Sequence, residues 1–168
     1  MINWSYFPKN MQIPIHFNEI ISTFNQFHEQ FNSTENNYSS DEVLHIVGPT
    51  LSLQGYEIEK SKKFDDKIRI PVLFGEKGKE SLAFEADGYS RENNTVIEVE
   101  AGRAVTNYQF LKDFYQASMM INVDYLCIAV RNIYRKNNDY KKVCDFFEAM
   151  FVSGKISTPL KGILIIGY

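Results

Sequence analysis

The sequence predicts an α/β domain built on a mixed β-sheet flanked by helices, and three observations carry that prediction. Thr95-Val96-Ile97-Glu98-Val99-Glu100 alternates with a period of two, as a strand does. After Gly102 the period lengthens to that of a helix, marked by Val105, Tyr108, Leu111, Phe114, Tyr115, Ser118 and Met119 up to about Ile121. Asp124–Val130 and Gly162–Gly167 are then short, nearly all-apolar runs that suit strands buried on both faces. Strand, helix, strand at this spacing implies a right-handed crossover and parallel pairing. Short turns earlier in the chain imply antiparallel pairing there.

The remaining elements follow in order. Met1 to Pro14 reads as an irregular or strand-like arm holding Pro8 and Pro14. Phe17 to Phe31 is an amphipathic helix whose face carries Ile20, Ile21, Phe24, Phe27, His28 and Phe31, suited to packing on the domain or on a second subunit. Residues 1–38 are thus an arm and helix packed on a single domain spanning 1–168. A polar loop leads to Ser39 and Ser40, one of which caps a helix with Asp41 and Glu42 in its first turn. Pro49 should kink or shorten that helix, and Gly55 ends the segment. Tyr56–Lys60 opens a strand. Lys60-Ser61-Lys62-Lys63-Phe64 is a basic run, read as a solvated loop in preference to a phosphate contact. Ile68–Phe74 is a strand pushed towards an edge by Pro71, and Gly75–Lys79 turns it into Ser81–Asp87. Arg131 to Asn138 is a polar, basic loop. Tyr140, Val143, Cys144, Phe147, Met150 and Phe151 mark a last helix.

Composition sets limits on function. With 168 residues, 44% of them hydrophobic, the chain is long enough for one domain with a real core and too short for two. No apolar run reaches the roughly 18 residues of a membrane span. The N-terminus has no basic stretch followed by an apolar one, so a cytoplasmic protein is expected. Cys127 and Cys144 lack metal-ligand spacing and His16, His28 and His45 are scattered, which argues for free thiols and against zinc. A net charge of −3 does not advertise nucleic-acid binding, although local distribution matters more than the total.

The chemistry concentrates in Glu85-Ala86-Asp87-Gly88-Tyr89 and Thr95–Gly102, joined by the turn-like Ser90-Arg91-Glu92-Asn93-Asn94. Glu98 and Glu100 point to one face of their strand. If the two strands pair through that turn, Asp87 comes level with them. At about 4 Å each like-charge pair costs on the order of 4 kcal/mol at an effective dielectric near 20. A proton or a divalent cation relieves such crowding, and a metal site is the reading it suggests.

Asp87 … Glu98-Val99-Glu100, on a hairpin followed by helix and strand, resembles the PD-(D/E)xK nuclease superfamily. Glu100 stands where that pattern usually has lysine, a D…ExE variant found among restriction endonucleases, and Ala86 replaces the nominal proline. The resemblance, over roughly Asp41 to Val130, implies a restriction-endonuclease-like fold and Mg²⁺-dependent hydrolysis of DNA phosphodiesters, with Mn²⁺ able to substitute. It implies Asp87 and Glu98 as metal ligands with the Val99 carbonyl, and Glu100 as general base or as ligand to a second ion. Lys112 could supply the missing positive charge, Glu42 matches an acid that some members carry on the first core helix, and Arg103 could bind a phosphate. A duplex cutter implies a homodimer, with Phe17–Phe31 as the candidate interface. Two alternatives stand beside this: an inactive nuclease-fold module that binds nucleic acid or a protein partner, and an unrelated α/β domain whose Glu98 and Glu100 merely face solvent.

Overall fold

The computed structural model describes residues 1–61 and 63–168. Lys62, the centre of the basic run, lies outside the described residues. The chain forms a six-stranded mixed sheet in the order β1-β10-β7-β6-β5-β2, flanked by four helices. Its parallel centre is β6 (Thr95–Glu100), β7 (Tyr125–Val130) and β10 (Gly162–Gly167). β1 (Asn3–Phe7) closes one edge antiparallel to β10, while β5 (Gly88–Ser90) and β2 (Glu57–Ile58) extend the other edge antiparallel to β6. β3 (Ile68–Phe74) and β4 (Glu80–Ala86) form a separate two-stranded ribbon with a bulge after Pro71. β8 (Ile133–Tyr134) and β9 (Asn137–Asn138) make a short hairpin within the segment expected to be a loop.

The alternation of the central strands divides the core in two. Val96, Leu126, Ile128, Val130, Ile163 and Ile165 face α3 (Gln109–Met119) and α4 (Asp139–Ser153), where Phe110, Phe114, Val143 and Phe147 cover them. Ile97, Val99, Cys127, Ala129, Leu164 and Ile166 face α1 (Ile15–Phe31) and α2 (Ser40–Leu53). Cys127 is buried, Cys144 is half-buried, and neither is bonded. Among the described residues no helix is long and apolar enough to cross a membrane.

The strand-like reading of the arm holds for Asn3–Phe7, because β1 can satisfy its backbone on β10 and bury Tyr6 and Phe7. Three expectations need correction. The apolar face of α1 is not open to a second subunit: Phe17, Ile20, Phe24 and Phe31 are all buried within the domain. The helix α2 runs through Pro49 to Leu53, which costs it one backbone donor but does not end it. The helix expected from Val105 begins only at Gln109. Gly102 sits at φ +98° and Tyr108 at φ +52°, both left-handed, so residues 101–108 are bends and turns.

Candidate active site

The hairpin register sets the site. Gly88 pairs with Ile97, Tyr89 with Val96 and Ser90 with Thr95, so the next position back along the chain brings Asp87 level with Glu98. The Val99 amide donates to Asp87 Oδ2 at 2.8 Å, tying the acid between β4 and β5 to the middle of β6. Glu98 and Glu100 share the face of Val96, towards α3. Val99 buries its side chain on the other face and reaches the site through its backbone. The Tyr168 hydroxyl donates to the Glu100 carbonyl at 3.1 Å, holding the end of the strand.

Asp87, Glu98, Glu100 and Asp113 line one cavity of about 180 Å³, together with Ser40, Glu59, Lys67, Glu85, Ala86, Val99 and Lys112. Wider cavities of about 700 and 620 Å³ exist, but the narrow one holds the concentration of acids. Asp113 is only 3% exposed. It shares a hydrogen bond with Glu100, which requires a proton on one of the two carboxyls. Its Oδ2 is buried without any hydrogen-bond partner. At the rim, Lys67 is ion-paired with Glu85.

Burial and mutual repulsion raise the proton affinity of Glu98, Glu100 and Asp113. The Glu98 carboxyl lies well above the usual range, first through burial and then through the charges of Asp87, Asp113 and Glu100, with Lys112 opposing. Glu100 is raised by burial and by Asp87, against the pull of Lys112, the hydrogen bond from Asp113 and Arg103. Asp113 is pushed up to about 8 by burial and then by Glu100, again with Lys112 opposing. Oxygen donors of this kind suit a hard divalent cation, and the unpartnered Asp113 Oδ2 is an acceptor such an ion would satisfy. As they stand, however, no three or more His, Cys, Asp or Glu side chains among the described residues are disposed as a ready ligand group.

The other anticipated residues separate. Lys112 lies in the first turn of α3, not two to three turns into a helix, and it lines the cavity. Arg103 is exposed in the turns before α3, near enough to act on Glu100. Glu42 is drawn elsewhere. Its Oε2 accepts from the Ser39 amide at 2.7 Å and the Ser39 hydroxyl at 2.8 Å, while its own amide donates to Ser39 Oγ at 3.3 Å. That reciprocal cap holds the Glu42 carboxyl below its usual range and keeps it out of the cavity lining.

The sequence reading passed over Asp113, Lys67 and Glu59. For Asp113 a signal existed. Phe110, Asp113, Phe114 and Ala117 fall on one buried helical stripe, and a carboxylate on such a stripe requires a partner. No protein-family model, curated protein or solved structure matches the chain.

Proposed function

We propose that this chain is a metal-dependent DNA endonuclease of the PD-(D/E)xK kind, of restriction or repair type. The observation that carries the reading is the convergence of Asp87, Glu98, Glu100 and the partner-less Asp113 Oδ2 on one cavity beside Lys112. Asp87 and Glu98 would hold Mg²⁺, or Mn²⁺ in its place, with the Val99 backbone carbonyl adjoining. When bound, the ion supplies Lewis acidity to a phosphate oxygen and lowers the pKa of a water.

The chain's own residues do the rest. Glu100 accepts the proton of the attacking water, as a carboxylate whose affinity for protons is already raised. Asp113 shares that proton through its hydrogen bond to Glu100. Lys112 supplies the positive charge that a glutamate at position 100 cannot, and Arg103, at the mouth, can fork onto a phosphate. Cutting both strands of a duplex would need a second copy, docked on a surface other than the buried face of α1.

A second reading is a nuclease-fold module that binds nucleic acid or a protein without cutting. The glutamate in the lysine position favours it, as does the lack of a ready three-acid ligand group among the described residues. Incubation with plasmid, single-stranded and branched DNA in Mg²⁺ or Mn²⁺, beside a Glu98→Ala control, separates the two. Cutting abolished in the control supports the endonuclease. No cutting of any substrate transfers the weight to the second reading.

A further inference from the structure

The loop after β7 builds a second polar site close to the carboxylates. Ser33, Asn36, Asn37, Arg131, Tyr134 and Arg135 line a cavity of about 620 Å³. Arg131 and Arg135 both lie over the Tyr134 ring, at 5.4 and 5.2 Å from its centre. Arg131 is only 6% exposed, and its hydrogen bonds go to neutral acceptors, Asn37 Oδ1 at 2.7 Å and the Tyr38 carbonyl at 2.5 Å. The buried Asp139 carboxyl also faces Arg131 and offsets part of its charge, so the exposed Arg135 guanidinium is the cation most open to an incoming anion. Glu35 also lines the cavity.

The turn that carries Arg135 is costly. Arg135 and Lys136 sit at φ +45° and +68° in the two-residue β8–β9 turn, where Asn-Gly is the favoured pair. The chain thus accepts left-handed strain to place two cations at the tip.

The site is linked to the carboxylates through Gly102 and Tyr134. The Tyr134 ring occupies the space where a Gly102 Cβ would stand, 2.5 Å away. Gly102 lies two residues beyond Glu100, at most about 7 Å of chain. Ser33, on the far wall, donates to the Tyr168 carbonyl, and the Tyr168 hydroxyl donates to Glu100. Both sites open at the carboxyl ends of β6, β7 and β10, where open α/β sheets bind ligands.

We infer that the Arg131–Tyr134–Arg135 cavity grips the phosphodiester backbone of the DNA strand being cut, at a phosphate flanking the scissile bond. This rests on the endonuclease reading and adds where the strand runs. The guanidiniums take the phosphate, and the tyrosine holds the two cations in place.

The test is binding of a short labelled single-stranded oligonucleotide by fluorescence anisotropy over a salt series, in Ca²⁺ so that binding is read without cleavage. Arg135 is exposed, so Arg135→Ala leaves the core intact, and Arg135→Asn also suits the left-handed turn. Both variants are expected to weaken binding and to reduce the slope of log K against log salt by about 0.7, the loss of one single-strand phosphate contact. Lys155→Ala, an exposed change beyond α4 at the opposite end of the sheet, leaves the slope unchanged. Wild-type affinity and slope in both Arg135 variants would overturn the inference, as would inorganic phosphate binding as tightly as the oligonucleotide. An arginine-dependent slope without any cleavage in Mg²⁺ would keep the backbone grip and remove the endonuclease. Cleavage with an unaltered slope would do the reverse.

Discussion

Asp87 accepts the Val99 amide at 2.8 Å, and this bond decides the character of the site. It gives the Val99 amide an acceptor where β5 stops pairing with β6, and in doing so it presses a carboxylate against Glu98 and Glu100. Stability and function then oppose each other. Asp87→Asn keeps an oxygen for the Val99 amide and removes a charge, so it is expected to leave the metal-free protein as stable as wild type or about 1 kcal/mol more so. For a chain of this length that raises the midpoint by about 2–4 °C per kcal/mol. Cleavage falls to background in the same variant. Calorimetric melting and a plasmid assay on one preparation check both halves.

The metal-free protein should lose stability as pH rises through neutrality. Unfolded, Asp113 releases its proton near 3.8; folded, it keeps it to about 8. Between those values the folded state binds more protons, so stability falls with rising pH, by on the order of 1 kcal/mol per pH unit. Glu98, also raised, works in the same direction. Urea denaturation from pH 5 to 8 in chelator should show the fall, and Asp113→Asn should flatten it. A slope unchanged by that substitution contradicts the assignment.

Divalent cations should reverse that loss. An ion binding only the folded state at a hundred times its Kd adds about 2.7 kcal/mol. Because it must displace protons from Glu98, Glu100 and Asp113, its stabilisation should grow from pH 5.5 to pH 8. Thermal shift with Mn²⁺ reads this directly, and Glu98→Ala should show little or no shift.

Lys112 lowers all the raised carboxyls around it, so its removal should be felt in the chemistry more than in the fold. Lys112 is exposed, and Lys112→Ala is expected to change stability by less than about 0.5 kcal/mol. It should cut kcat by about 10- to 100-fold and move the pH–rate profile to higher pH, with Lys112→Arg recovering part of the loss.

Gly102 marks the other limit of the site. Its φ of +98° suits glycine alone, and an added Cβ would stand 2.5 Å from the Tyr134 ring. Gly102→Ala should cost about 1–3 kcal/mol and disturb both cavities at once. Chemical denaturation measures the cost.

Much of this architecture could be read from residues alone, for reasons of local physics. The alternation in Thr95–Glu100 places Glu98 and Glu100 on one face whatever else the chain does, and the turn at 90–94 leaves Asp87 only a narrow choice of register. The parallel centre followed from apolar runs on either side of a helical period. What was hidden depends on distant contacts. The start of α3 is set by left-handed residues at 102 and 108, and Tyr134, thirty-two residues after Gly102, packs at the first of them. That shift moved Lys112 into the first turn. Asp113 was concealed because its stripe of phenylalanines reads as ordinary core. Glu42 is the converse, an acid whose local capping partner outcompetes any distant site.

Manganese supplies the most direct test. A crystal grown with Mn²⁺ should give an anomalous peak within ligand distance of the Asp87 and Glu98 carboxylates, and no such peak in Glu98→Ala. A wild-type crystal with manganese absent, or bound away from these carboxylates, would contradict the metal centre on which the proposed hydrolysis depends.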